Sequence, residues 1–146
     1  MDRREALIGT GLLAIAGTAT TAIAQEAATE HHHHGGAHKS LASSAGTCVA
    51  DGQACLSHCL ELLGSGHKEL AACARSVTQL VSICGALQNL ANQDSKYLTK
   101  VASVAMDACQ DCEEECKKHA DKHEVCKRCG ESCAACYKEC KQLTAS

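Results

Sequence analysis

The sequence contains no proline, tryptophan or phenylalanine, and its only aromatic residues besides histidine are Tyr97 and Tyr137. A core built on large aromatic side chains is therefore excluded. Runs of β-branched residues, which favour strands, are also missing, whereas Ala, Leu, Glu, Lys and Gln are plentiful. We therefore predict an all-α fold.

The chain also lacks a strong net charge, which is −3 at pH 7. A nucleic-acid-binding protein usually presents a basic face with aromatic side chains for stacking, and this sequence has neither. Its 146 residues, less an amino-terminal targeting segment, are enough for one hydrophobic core. We expect one domain and no nucleic-acid partner.

The amino-terminal segment resembles a twin-arginine export signal. Arg3 and Arg4 precede a mildly apolar run, and Ala22-Ile23-Ala24 fits the small-x-small rule for cleavage. The alternative is a membrane anchor, but a run of about 17 residues diluted by glycine and threonine is short for a span. We assign residues 1–24 to a signal peptide, and expect a periplasmic or otherwise extracytoplasmic protein that is not membrane-bound in its mature form.

Residues 25–40 form a flexible linker that contains His31 to His34. This tract either binds metal weakly or is incidental. Residues 41–146 are assigned to the folded domain, with breaks predicted at residues 64–66, 92–95 and 120–123. The short connections make neighbouring helices antiparallel, so the sequence predicts an antiparallel four-helix bundle.

Capping residues mark two of the helix starts. Asp121 is followed three residues later by Glu124, which is the spacing of a capping box, so Asp121 is predicted to cap the fourth helix. Asp94 or Ser95 is predicted to cap the third.

The thirteen cysteines follow the spacing of the inward face of a bundle helix. Steps of three and four residues keep side chains on one face, and such steps through each segment collect every cysteine. The four helices contribute Cys48, Cys55 and Cys59; Cys73 and Cys84; Cys109, Cys112 and Cys116; and Cys126, Cys129, Cys133, Cys136 and Cys140. The sequence therefore predicts a core lined with thiols.

A disulfide framework is the first alternative explanation for an exported, cysteine-rich chain. Helix residues three or four apart have Cβ atoms about 5–6 Å apart, whereas a disulfide needs about 3.5–4.5 Å. Two thiolates that share a metal ion can lie up to ~4.5 Å apart, from a metal–sulfur bond of about 2.3 Å. The spacing of the cysteines therefore favours metal binding over disulfide formation. If the thiols served only as small hydrophobic side chains, they would be an oxidation liability after export.

Thiolate-lined interiors select copper(I), zinc or iron–sulfur clusters. Zinc and iron–sulfur sites require four convergent ligands, which usually come from loops. Copper(I) can be bound by two sulfur atoms from one helix, such as those of Cys55 and Cys59. We therefore predict many copper(I) ions per chain. A zinc- or cadmium-sequestering protein, a copper chaperone and a thiol oxidoreductase are the alternatives, the last disfavoured because redox pairs normally sit exposed in an α/β fold.

The leader, the four helices and the core cysteine steps together resemble the bacterial copper storage proteins, most specifically in residues 48–59, 109–116 and 126–140. The resemblance implies a copper(I) store rather than an enzyme, a homotetramer, thiolates that bridge ions along the core, and a histidine beside one end. His58 matches that histidine. Exported members also place methionines at the open end, where this chain has Leu62, Ser65 and Leu70.

The antiparallel order suggests a substitute for those methionines. It brings His67, His119 and His123 to the same end of the bundle as His58, whereas leucines gather at the other end. We call these ends the histidine pole and the apolar pole, and predict that ions pass through the histidine pole.

Overall fold

The computed structural model describes residues 36–145, which form four α-helices. They are α1 (Lys39–Gly64), α2 (Ala71–Asn92), α3 (Leu98–Lys117) and α4 (Glu124–Thr144), and a 3-10 turn, Lys68–Leu70, precedes α2. Over this range the chain has no strand. The all-α prediction is confirmed. The predicted signal peptide and most of the predicted linker lie outside the described residues, so those boundaries stay predictions.

The helices pack as a square in which α1 and α3 each contact both α2 and α4. Cys59, near the end of α1, contacts Cys73 at the start of α2, and Cys73 in turn contacts Cys116 near the end of α3. Ends of odd-numbered helices therefore meet starts of even-numbered ones. The antiparallel four-helix bundle is confirmed.

The predicted cap of α4 is wrong. This helix begins at Glu124 with His123 as its N-cap, and no side chain makes the capping hydrogen bond. The preceding residues instead form turns in which the carbonyl of His119 accepts hydrogen bonds from the N–H groups of Lys122 and His123. These turns move the helix start beyond the reach of Asp121.

The predicted cap of α3 is wrong for a similar reason. The helix begins at Leu98 with Tyr97 as its N-cap, again without a side-chain hydrogen bond. The Ser95 hydroxyl accepts a hydrogen bond from the Tyr97 N–H at 3.3 Å, and Asp94 has a left-handed φ of 48°. Both residues therefore shape the connection after α2 instead of capping α3.

The segment Lys68–Asn92 is long and apolar enough, by length and composition alone, to cross a membrane. Its side chains at Leu70, Val77, Leu80 and Leu87 are fully buried within the bundle. A core helix meets the same criteria as a membrane span. Burial inside the bundle accounts for the apolar character of α2.

Candidate metal centre

All thirteen cysteines are fully buried, and all are free thiols. They occupy the inward faces of the four helices, where Leu70, Leu80, Leu87 and Val77 are the largest other fully buried side chains. The predicted placement on the core stripes is confirmed. Their role as metal ligands, like that of His58, stays a prediction.

Neighbouring sulfur atoms are spaced for sharing a metal ion. The Sγ–Sγ distances are 3.7 Å for Cys55–Cys126, and 3.8 Å for both Cys59–Cys73 and Cys73–Cys116. A disulfide bond is about 2.05 Å long, whereas two metal–sulfur bonds of about 2.3 Å reach ~4.5 Å. Each of these contacts is therefore within the span of one bridging ion.

Eight thiols form what we call the outer group, on the side of the histidine pole. Three overlapping sets, each with sulfurs within 4.8 Å of one another, build it up and share Cys55 and Cys129. The sets are Cys55, Cys59, Cys73 and Cys126; Cys55, Cys116 and Cys129; and Cys112, Cys129 and Cys133. An ion bound in one set therefore has a ligand in common with the next set.

The other five thiols form the inner group, towards the apolar pole. Cys48, Cys84, Cys109 and Cys136 lie within 4.8 Å of one another, and each comes from a different helix. The fifth thiol, Cys140, lies one helical turn after Cys136, and its interaction with Cys136 raises its pKa. The inner group is a layer of four sulfurs with one more beneath it.

The two four-thiol sets correct one step of the sequence argument. Four convergent sulfurs were expected mainly from loops, yet antiparallel helices bring one thiol each to the same depth, as in the inner group. Single-helix spacing carries no information on this depth match between helices. A four-coordinate ion such as zinc therefore fits the geometry as well, and geometry alone does not choose the metal.

Burial and mutual contact shift the thiol pKa values in both directions. Burial raises the pKa of Cys59 to about 12. For Cys126 the hydrogen bond with Cys55 lowers the pKa, but the contact with Cys73 and burial outweigh it and raise the pKa to about 11. Contacts with Cys109 and Cys133 lower the pKa of Cys48 to about 5. Metal binding at Cys59 and Cys126 therefore releases protons.

A pair of histidines makes contact at the histidine pole. Nε2 of His58 lies 2.9 Å from Nδ1 of His123, so one ring donates a hydrogen bond and the other accepts it. Burial, followed by repulsion from His58, lowers the pKa of His123 and favours its neutral form, which can bind a metal. The sequence placed both residues at this pole but did not predict their contact, because they lie 65 residues apart.

The other two histidines lie at the same pole. His119 and His67 both add to the repulsion that lowers the pKa of His123. His67 is exposed and lies 3.0 Å from the carboxylate of Glu69, which is an ion pair when the ring is protonated. The predicted gathering of four histidines is therefore confirmed, and their role in metal passage stays a prediction.

The apolar pole is filled with hydrocarbon. Leu41, Leu87 and Leu98 are buried there, and Leu90 and Leu143 pack against them. A surface cavity at this pole is lined by Ala37, His38, Ser40, Leu41, Glu139, Gln142 and Leu143, and it reaches no thiol. The predicted contrast between the two poles is confirmed.

Comparisons with known proteins match most of the described chain. A sequence model of the family described as copper storage protein matches residues 35–145. The chain is also similar to the uncharacterised cysteine-rich protein YhjQ of Bacillus subtilis strain 168, with 28% identity over 91 residues that cover 62% of this chain and 81% of the relative.

Two solved structures share the fold. The copper(I)-bound copper storage protein BsCsp3 has 25% identity and a TM-score of 0.66, over 71% of this chain and 94% of that one. The copper storage protein Ccsp of Streptomyces lividans, loaded with 10 copper equivalents, has 26% identity and a TM-score of 0.66, over 72% of this chain and 81% of that one.

Proposed function

Because this chain belongs to the copper storage protein family, we propose that its thiol core takes up, holds and returns many copper(I) ions. The observation that carries the proposal is the core itself, in which twelve of the thirteen buried sulfurs belong to sets whose members lie within 4.8 Å of one another. Copper(I) is a soft ion that thiolates bind strongly. Counting the copper(I) ions that the reduced chain binds tests the proposal.

Other functions fit the arrangement less well. A chaperone that hands over one ion needs one or two ligand pairs, and this core has far more. A thiol oxidoreductase needs an exposed, reactive thiol, whereas every Cys-x-x-Cys pair here is fully buried. Zinc or cadmium sequestration fits the two four-thiol sets, but the family match favours copper(I).

We also propose that the chain is exported from the cytoplasm. The twin-arginine-like leader with Arg3 and Arg4 supports transport of a folded chain to an extracytoplasmic compartment. Replacing both arginines with lysine should leave the protein in the cytoplasmic fraction with its leader uncleaved. Equal export of the changed and unchanged chains would rule out this route.

The resemblance to exported members of the family supports a homotetramer. Light scattering of the purified protein measures the assembly directly, and a monomer at micromolar concentration would contradict the proposal.

We further propose that ions pass through the histidine pole. His58 directly precedes Cys59 and His123 lies three residues before Cys126, so both histidines belong to the end of the bundle that holds the outer group, and the opposite pole is apolar. Replacing His58, His67, His119 and His123 with alanine should slow copper(I) removal by a chelator about tenfold, a barrier change of about 1.4 kcal/mol. The final copper content should stay nearly unchanged, because the thirteen thiols remain.

His38→Ala is the matched control, because His38 lies at the apolar pole, where it pairs with Asp94 at 3.2 Å. Removal from this variant should follow the unchanged protein. Identical kinetics in the fourfold variant and the unchanged protein would show that the histidines play no part in passage.

A further inference from the structure

One sulfur–sulfur hydrogen bond joins the outer group of thiols to the inner group. The three sets of the outer group share thiols with one another, whereas the four-thiol set of the inner group shares none with them. The contact that joins the groups is between Cys48 in α1 and Cys133 in α4, whose Sγ atoms are 3.9 Å apart. Across residues 36–145, no other sulfur–sulfur hydrogen bond crosses from one group to the other.

The side chains at this depth account for the single hydrogen bond between the groups. Between Cys73 and Cys84 the inward positions of α2 are Val77 and Leu80, which are fully buried and carry no ligand atom. They pack against α1 at Gly52, where an added Cβ would lie 3.6 Å from Val77 and 3.7 Å from Leu80. Hydrocarbon therefore fills the α1–α2 side of the core at this depth, whereas α3 carries Cys109 and Cys112, and α4 carries Cys133 and Cys136, on either side of it.

We propose that the store consists of two compartments in series, and that copper(I) reaches the inner one through Cys48 and Cys133. This inference rests on the proposed storage function. The outer compartment holds eight thiols and the inner one five. Ions cannot bypass the contact from the far end, because Leu41, Leu87 and Leu98 close the apolar pole.

The transfer is a ligand exchange at constant oxidation state. A copper(I) ion held by Cys133 and a second outer thiolate, from Cys112 or Cys129, forms a new bond to the sulfur of Cys48. The bond to the second outer thiolate then breaks. Cys48 binds the ion as a thiolate and the displaced outer sulfur leaves as a thiolate, so charge balances and no proton has to move. At 3.9 Å the two sulfurs can hold the ion together during this step.

The test compares two single-thiol losses from the outer group of the full chain. Cys133→Ala removes the contact with Cys48, whereas Cys112→Ala removes one thiol but leaves the path from Cys129 through Cys133. Copper(I) is added anaerobically to each reduced protein, and copper–thiolate absorption is followed in time. The unchanged protein should load in two phases with amplitudes near the ratio of eight to five.

In Cys133→Ala the slow phase should become slower by on the order of tenfold or more, since each tenfold needs a barrier only about 1.4 kcal/mol higher. In Cys112→Ala it should stay within about twofold of the unchanged protein, because the barrier to crossing is unaltered. Equal slow phases in both variants, or a single phase in the unchanged protein, would overturn the proposal. If the unchanged protein binds only one or two ions in total, storage itself fails instead.

If circular dichroism shows that Cys133→Ala does not fold, a second pair of variants tests the same proposal. Cys48→Ala removes the other half of the contact, and Cys84→Ala removes one inner thiol while leaving the contact in place. The slow phase should be retarded in Cys48→Ala only. Retardation in both would show that loss of any inner thiol has this effect, and the special role of the contact would be wrong.

Discussion

Anaerobic titration of the reduced chain with copper(I) should end at about 13 ions, close to its thirteen cysteines. This number follows if each ion takes two thiolates and each thiolate bridges two ions, because ligand and metal counts then become equal. The observed sulfur contacts of 3.7–4.0 Å allow bridging between helices as well as within one helix. Without bridging, the endpoint would fall to about 6 ions.

Removing thiols in pairs should lower this endpoint stepwise. The Sγ atoms of Cys112 and Cys116 lie 4.0 Å apart, and Cys136 and Cys140 have the same four-residue spacing on α4, so each pair can hold one or two ions of its own. The measurement is competition with a chelator of known copper(I) affinity. An endpoint of one or two ions that most cysteine substitutions leave unchanged would indicate a chaperone and contradict storage.

Zinc provides the matched comparison on the same protein. Four-thiolate coordination without bridging would stop near 3 ions from the cysteine count alone, and the structure offers two disjoint four-thiol sets. We therefore expect a zinc endpoint of about 2 ions, well below the copper(I) endpoint. Equal endpoints for both metals would mean that the thiols do not discriminate by coordination number.

The sequence predicted the bundle well because one periodic signal runs through the whole folded part. Every cysteine falls on a three-four step, and the same step that predicted a helix also predicted its buried face. Polar breaks located the connections to within a few residues. The caps predicted at Asp121 and Asp94 were wrong because capping depends on the local backbone turns, and these turns are set by how the next helix packs.

The periodicity of the sequence did not predict which residues contact each other between helices. The periodicity of α1 places Cys48 inside the bundle, but the depth at which it meets Cys133 depends on the length and turn geometry of the connections. The same holds for the contact between His58 and His123. A single sequence gives the face of each residue, and packing decides which residues on facing helices share a depth.

Copper(I) loading should raise the thermal midpoint of unfolding by about 20 °C or more. A ligand present at 100 times its dissociation constant adds about 2.7 kcal/mol per site when it binds only the folded chain. Each kcal/mol moves the midpoint by about 4 °C in a domain of this size. Many sites would give a far larger rise, but the unfolded chain also binds copper(I) through adjacent cysteines, and this binding subtracts from the gain.

What the unfolded chain cannot reproduce are the contacts between helices. Cys55 and Cys126 are 71 residues apart in the sequence, and only the fold brings their sulfurs to 3.7 Å. The metal-free protein should already be helical by circular dichroism, because Leu70, Leu80 and Leu87 pack the core without metal. Scanning calorimetry of the metal-free, loaded and chelator-stripped protein then measures the difference, and the stripped sample should return to the metal-free midpoint. If loading leaves the midpoint unchanged, the ions are held by pairs within single helices, and the thiol core does not bridge between them.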